Sequence, residues 1–184
     1  LGLTIGYLLH LYGAASYLLK GWRRTRLDKR EREVTDLQRE GLARWRSGDS
    51  TKARRLLQKA LSMDGSRIEV LSALAEVQLA EGEVEESISL LQRARKLAPT
   101  NLTVLFALAE TYGKTQRPNE AMDCYRELLE LDGDNYQGQV GLRDLYLAQQ
   151  QWDDALGVQK RLVKKSTGEA QSAEKTLLNG LRYQ

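Results

Sequence analysis

The sequence predicts an all-α fold, a solenoid of about four helix–turn–helix repeats preceded by one transmembrane helix. Three observations carry that prediction. Ala53, Ser87, Ala121 and Ala155 recur every 34 residues, and a period of that length marks units that cannot bury an apolar face alone and must stack. The composition is rich in helix formers, with only two prolines and 7% aromatic residues. Finally, residues 1–19 contain no Asp, Glu, Lys or Arg.

That apolar run spans roughly 28 Å as a helix, close to the hydrocarbon thickness of a bilayer. A cleaved signal peptide fits less well, because its positive charges would precede the run and no small-x-small cleavage site follows it. Gly2, Gly6, His10, Gly13 and Tyr17 fall on one stripe, and Gly2-x-x-x-Gly6 is the spacing that lets helices approach closely in lipid. This stripe is expected to pack against other transmembrane helices. His10 reads first as a hydrogen bond to such a neighbour and second as an axial ligand of a haem or pigment. A lone histidine does not establish a cofactor, and no cofactor or metal is assigned.

Residues 20–33 are expected to form a basic juxtamembrane helix that runs into the repeats without a flexible linker, since no Pro or Gly lies between Arg23 and Gly41. Residues 20–32 carry seven Lys or Arg against Asp28 and Glu31, a net of +5; the rest of the chain has 21 basic and 23 acidic residues. Lys20, Arg23, Arg24, Arg26, Lys29 and Arg30 suit anionic lipid headgroups, at about 1 kcal/mol each near the surface. The positive-inside tendency then places the repeats on the cytoplasmic side of a single-pass membrane protein, with the bacterial inner membrane as the expected location. Nucleic acid is not expected as a partner, because the basic run sits directly beside the apolar segment and lacks aromatic interleaving of the kind single-strand binding uses.

Counting from Val34 gives repeats 34–67, 68–101, 102–135 and 136–169, followed by a C-terminal or capping helix at 170–184. Position 4 reads Leu37, Leu71, Leu105 and Gln139; position 8 reads Gly41, Ala75, Ala109 and Arg143. Position 24 reads Leu57, Leu91, Tyr125 and Gln159, and position 32 reads Gly65, Pro99, Gly133 and Thr167. Small residues at 8 and 20 let two helices approach, larger ones fill the groove around them, and Pro or Gly stops each second helix. Turns such as Ser47-Gly48-Asp49 and Gln116-Arg117-Pro118-Asn119 separate the helices. Repeats 1 and 4 are polar at several of these positions, as expected where an array ends or meets something else.

This pattern closely resembles the tetratricopeptide repeat. The resemblance implies a concave groove lined by the first helices, through positions 2, 5, 9, 12 and 13. Carried over, it selects Gln38, Leu42, Trp45 and Arg46, then Glu69, Ser72, Glu76 and Leu79. Repeats 3 and 4 add Thr103, Phe106, Glu110, Lys114, Gln137, Val140, Asp144 and Leu147. Four acids against two bases favour a protein ligand with apolar anchors and some positive charge, with Trp45 and Phe106 as expected hot spots. Arrays that clamp a chaperone's terminal carboxylate use Lys and Asn where this chain has Gln38 and Leu42, so that ligand is not expected.

No enzyme is expected. The chain has no Gly-rich phosphate loop, His-Glu-x-x-His or Gly-x-Ser-x-Gly. Its one histidine lies in the apolar run, so the repeats cannot hold a Ser-His or Cys-His couple. Cys124 is alone, which excludes a disulfide within the chain, and it reads as a small apolar filler.

One anchor, a basic neck and an immediate repeat array, together with the run from Gly141 to Lys165, resemble the lipopolysaccharide assembly protein B family. That resemblance implies an inner-membrane scaffold that hands an enzyme of envelope lipid synthesis to a membrane protease. The family also carries a zinc ribbon with paired Cys-x-x-Cys, which residues 1–184 do not contain. Three functions therefore stand: a membrane-anchored scaffold or adaptor in envelope biogenesis or membrane proteolysis, a fixed accessory subunit of a large energy-transducing or pigment-bearing membrane complex, and an organelle import receptor.

Overall fold

A computed structural model describes residues 25–165 and 168–181. The predicted transmembrane helix with Gly2, Gly6, His10, Gly13 and Tyr17, and the basic residues Lys20, Arg23 and Arg24, lie outside the described residues. Among the described residues there are nine α-helices. α1 covers 25–46, and it is followed by α2 (Ser50–Met63), α3 (Ile68–Ala80), α4 (Val84–Leu97) and α5 (Leu102–Lys114). α6 (Pro118–Leu131), α7 (Tyr136–Ala148), α8 (Trp152–Lys165) and α9 (Gly168–Leu181) complete the order. None of the described helices is long and apolar enough to cross a membrane.

The chain divides into two compact units, Leu1–Gly65 and Ser66–Gln184. In the first, α1 is one continuous helix through residue 34, and Gly41 lies against α2. A Cβ at Gly41 would stand 2.9 Å from Cγ of Leu57, so only glycine permits this approach. Arg30 donates to the Met63 carbonyl and Lys59 pairs with Glu33 at 3.4 Å, while Arg26 and Lys29 are exposed on α1.

In the second unit α3, α5 and α7 begin at Ile68, Leu102 and Tyr136, and α4, α6 and α8 at Val84, Pro118 and Trp152; both series advance by 34 residues. Each helix packs on the next, and α3 also touches α5 and α5 touches α7, which sets the first helices side by side. The small residues at positions 8 and 20 form the contact within a repeat: Ala75, Ser87, Ala109, Ala121 and Ala155 are all buried, and the Ser87 hydroxyl donates to the Ala75 carbonyl at 2.8 Å. Leu71, Leu105, Leu108, Leu128 and Leu162 fill the space around them. Successive repeats are joined at positions 25 and 11, where Gln92 donates to the Tyr112 hydroxyl at 2.9 Å and Arg126 to the Tyr146 hydroxyl at 3.4 Å.

Every first helix ends the same way. Gly48, Gly82, Gln116 and Gln150 all have positive φ (84°, 85°, 58° and 58°). The next residue donates back to position 11, as in Asp49 to Arg44 and Arg117 to Tyr112, both at 3.0 Å, which closes the helix in a Schellman turn. Glycine takes this left-handed conformation freely, whereas glutamine is strained in it. Asn101 and Asn135 open α5 and α7 by accepting from Val104 and Gly138, and Pro118 starts α6 at the position where its missing N–H costs nothing.

α9 begins at Gly168, two residues before the boundary drawn from the repeat, because a 34-residue period cannot mark where a non-repeating helix starts. This helix accounts for the polar core of repeat 4. Arg143 and Glu174 pair at 3.1 Å with side chains only 9% and 6% exposed. Gln159 accepts from Arg143 and donates to both the Glu174 carbonyl and its carboxylate, and Tyr136 donates to that carboxylate at 2.8 Å. Gln139 instead donates to the Gly133 carbonyl.

Two substitutions test these features. Gln116→Gly relieves the left-handed strain and raises the unfolding free energy by about 1 kcal/mol in urea titration. Glu174→Ala leaves Arg143 buried without its main counter-charge and lowers stability by about 3 kcal/mol in the same measurement.

Candidate binding groove

The first-helix residues selected from the repeat register are all half-buried or exposed; none lies in the core. Gln38, Leu42 and Trp45 are half-buried and Arg46 exposed on α1, in the first unit. On α3, Ser72 and Leu79 are half-buried and Glu69 and Glu76 exposed. The structure brings together Phe106, Glu110 and Lys114 of α5 with Gln137, Val140 and Asp144 of α7 around one open cavity of about 430 Å³. Leu147 is set apart from that cavity. It lines a neighbouring one of about 440 Å³, with Trp152 of α8 and Leu177 and Leu181 of α9, and Asp144 borders both.

The first cavity has an apolar floor and a charged rim. Phe106 and Tyr125 meet edge to face, with centroids 6.0 Å apart and planes at 66°. Tyr125 comes from α6 and reaches the cavity because α7 has no side chain at Gly141, where a Cβ would lie 2.3 Å from Cζ of the ring. Gly113 on α5 leaves open space beside Leu145, and Tyr136 at the start of α7 closes one end. On the rim, Glu110 faces Lys114 at 3.6 Å and Asp144 is held by Arg143 at 2.7 Å.

Sequence reasoning missed Tyr125, Tyr136, Gly113 and Gly141 as groove residues. Tyr125 sits at core position 24, and its ring reaches the cavity from there against Gly141. Gly113 does fall at groove position 12, which was a usable signal. Cys124, behind the groove on α6, is buried, and desolvation pushes its thiol up to about 11. Burial also pushes the Tyr125 phenol up to about 12, with Glu110 and Asp144 adding in the same direction.

A stack of helix pairs with an open groove along its first helices defines a helical-repeat protein of the kind that serves as a protein-interaction scaffold. The tetratricopeptide repeat family matches residues 44–101 and 78–137, which together exceed half of the chain. The chain belongs to the tetratricopeptide repeat family. No match is found among curated protein sequences. Among solved structures, MamA is similar with TM-score 0.64 and 18% identity over 73% of this chain and 79% of that one. A tetratricopeptide repeat protein from Parabacteroides merdae gives TM-score 0.71 and 17% identity over 82% of this chain and 60% of that one. The first repeat domain of Spaghetti (RPAP3), bound to the HSP90 peptide SRMEEVD, gives TM-score 0.60 and 18% identity over 64% and 93%.

The Tyr125 phenol supplies a pH test. Its pKa is raised from 10.0 to about 12 in the folded chain, so the fold favours the neutral form. Its contribution to stability is full below pH 10 and is lost as pH rises from 10 towards 12. Urea midpoints followed across that window fall more steeply in the wild type than in Tyr125→Phe.

Proposed function

We propose that this protein is a membrane-anchored interaction scaffold that holds a protein partner along its first helices, in bacterial envelope biogenesis or membrane proteolysis. Residues 1–19 would span the inner membrane, Lys20, Arg23, Arg24, Arg26, Lys29 and Arg30 would meet lipid headgroups, and the repeats would face the cytoplasm. The observation that carries the scaffold reading is the cavity between α5 and α7, where Phe106 is left half-exposed on an apolar floor inside a polar rim. A partly exposed aromatic residue surrounded by polar groups is the usual anchor of a protein interface. The uncharged run 1–19 followed by a net +5 segment supports the anchor. The peptide held by the RPAP3 domain supports a peptide segment as the bound form. The scaffold role involves no reaction at the groove.

Cross-linking mass spectrometry on native membranes that contain the full-length protein tests this reading. Cross-links from α3, α5 and α7 to a soluble enzyme or protease are expected, and Phe106→Ala or Trp45→Ala weakens them about tenfold. Contacts concentrated at residues 1–35, to other membrane subunits and indifferent to Phe106→Ala, would instead make the chain a fixed subunit of a complex.

A further inference from the structure

Three aromatic rings and two carboxylates meet at the cavity between α5 and α7. Phe106 and Tyr125 stand edge to face at the cavity, Phe106 half-buried and Tyr125 mostly covered, and Tyr136 lines it with about half its surface exposed. The face of an aromatic ring is negative and attracts a cation, more strongly where water is displaced. Glu110 and Asp144 stand on the rim, close enough to Tyr125 to add to the rise of its pKa. The cations already present answer these charges only in part. The Arg143 guanidinium is buried and shared between Asp144 and Glu174. Lys114 holds Glu110 only at 3.6 Å, with both side chains exposed, an ion pair that solvent screens and an incoming cation displaces. Glu69 and Glu76 add two exposed acids on α3, in the same row of first helices.

From this we infer that the cavity is a receptor for one cationic side chain, lysine or arginine, carried by the partner segment that the groove binds. The inference rests on the scaffold reading and adds to it the chemistry of one subsite. The aliphatic stem of such a residue packs on Val140 while its charge reaches the rings and the rim. A neutral apolar residue fits the floor but brings no charge to the carboxylate rim, and an acidic one is repelled by it.

A random dodecapeptide library selected on the full chain in detergent micelles tests the subsite, followed by fluorescence anisotropy on an enriched peptide. Enriched sequences are expected to pair a Lys or Arg with apolar neighbours. Replacing that residue by norleucine weakens binding about tenfold on the wild type and no more than about twofold on the Glu110→Gln/Asp144→Asn double variant, whose circular dichroism matches the wild type. Enriched peptides without a basic residue, or a norleucine peptide that binds as tightly, overturn the subsite and leave the scaffold standing. So does an equal loss on the double variant. A library that yields no binder, or binders indifferent to Phe106→Ala, overturns both readings.

Discussion

The two helices of each repeat pass closest where position 8 of the first meets position 20 of the second, and the remaining side chains are arranged around that contact. Gly41 touches Leu57 where a methyl group would not fit, and Ser87 reaches the Ala75 carbonyl across the seam. An interior packed to crystal density has no room to widen such a contact. Large residues are therefore confined to the flanks, where Leu71, Leu105, Leu108 and Leu128 are wholly or almost wholly buried. The first-helix residues that point away from the seam are half-buried or exposed. They remain as the groove, so the constraint that builds the core also leaves the binding surface open.

Repeat 4 departs from this rule and shows what the departure requires. Arg143 occupies position 8, and Gln159 stands where Leu57 and Leu91 stand in repeats 1 and 2. A buried guanidinium is costly unless every N–H is answered. Glu174, Gln159 and Asp144 answer it, and α9 supplies the acid. An apolar pair of the same volume would bind α9 about as strongly, so the ion pair reads as a device for register. Leu178, the only apolar side chain of α9 buried among those described, is poor at fixing position alone, whereas a carboxylate with three donors has one place to sit.

The repeats were legible because their cause is periodic: the same seam recurs, so the same small residues recur. What the sequence concealed is what the period does not govern. Gln116 and Gln150 take the left-handed turn that Gly48 and Gly82 take, yet glutamine carries no local signal for it, and only the homologous position reveals the strain. Arg143, Gln159 and Gln139 were legible as anomalies, but Arg143 and Gln159 were not legible as partners of Glu174, since the acid lies outside the repeat. Phe106, Glu110 and Asp144 were selected by register alone, while Tyr125 and Gly141 entered the cavity through a contact between α6 and α7 that no single-helix pattern encodes. Trp45, at position 12 of repeat 1, and Phe106, at position 5 of repeat 3, lie in different units.

The end helix and the groove share one set of bonds. Glu174 accepts from Tyr136, which walls the cavity, and from Arg143, which in turn holds Asp144 on its rim. Two groove side chains that solvent would otherwise leave to rotate are thus fixed from the opposite side of α7. Immobilising such residues on binding costs roughly 0.5–1.5 kcal/mol apiece, and here that cost is met during folding. A polar core at the last repeat, which weakens packing if considered alone, consequently serves the surface: the interaction that seats α9 also holds the cavity in shape before any partner arrives.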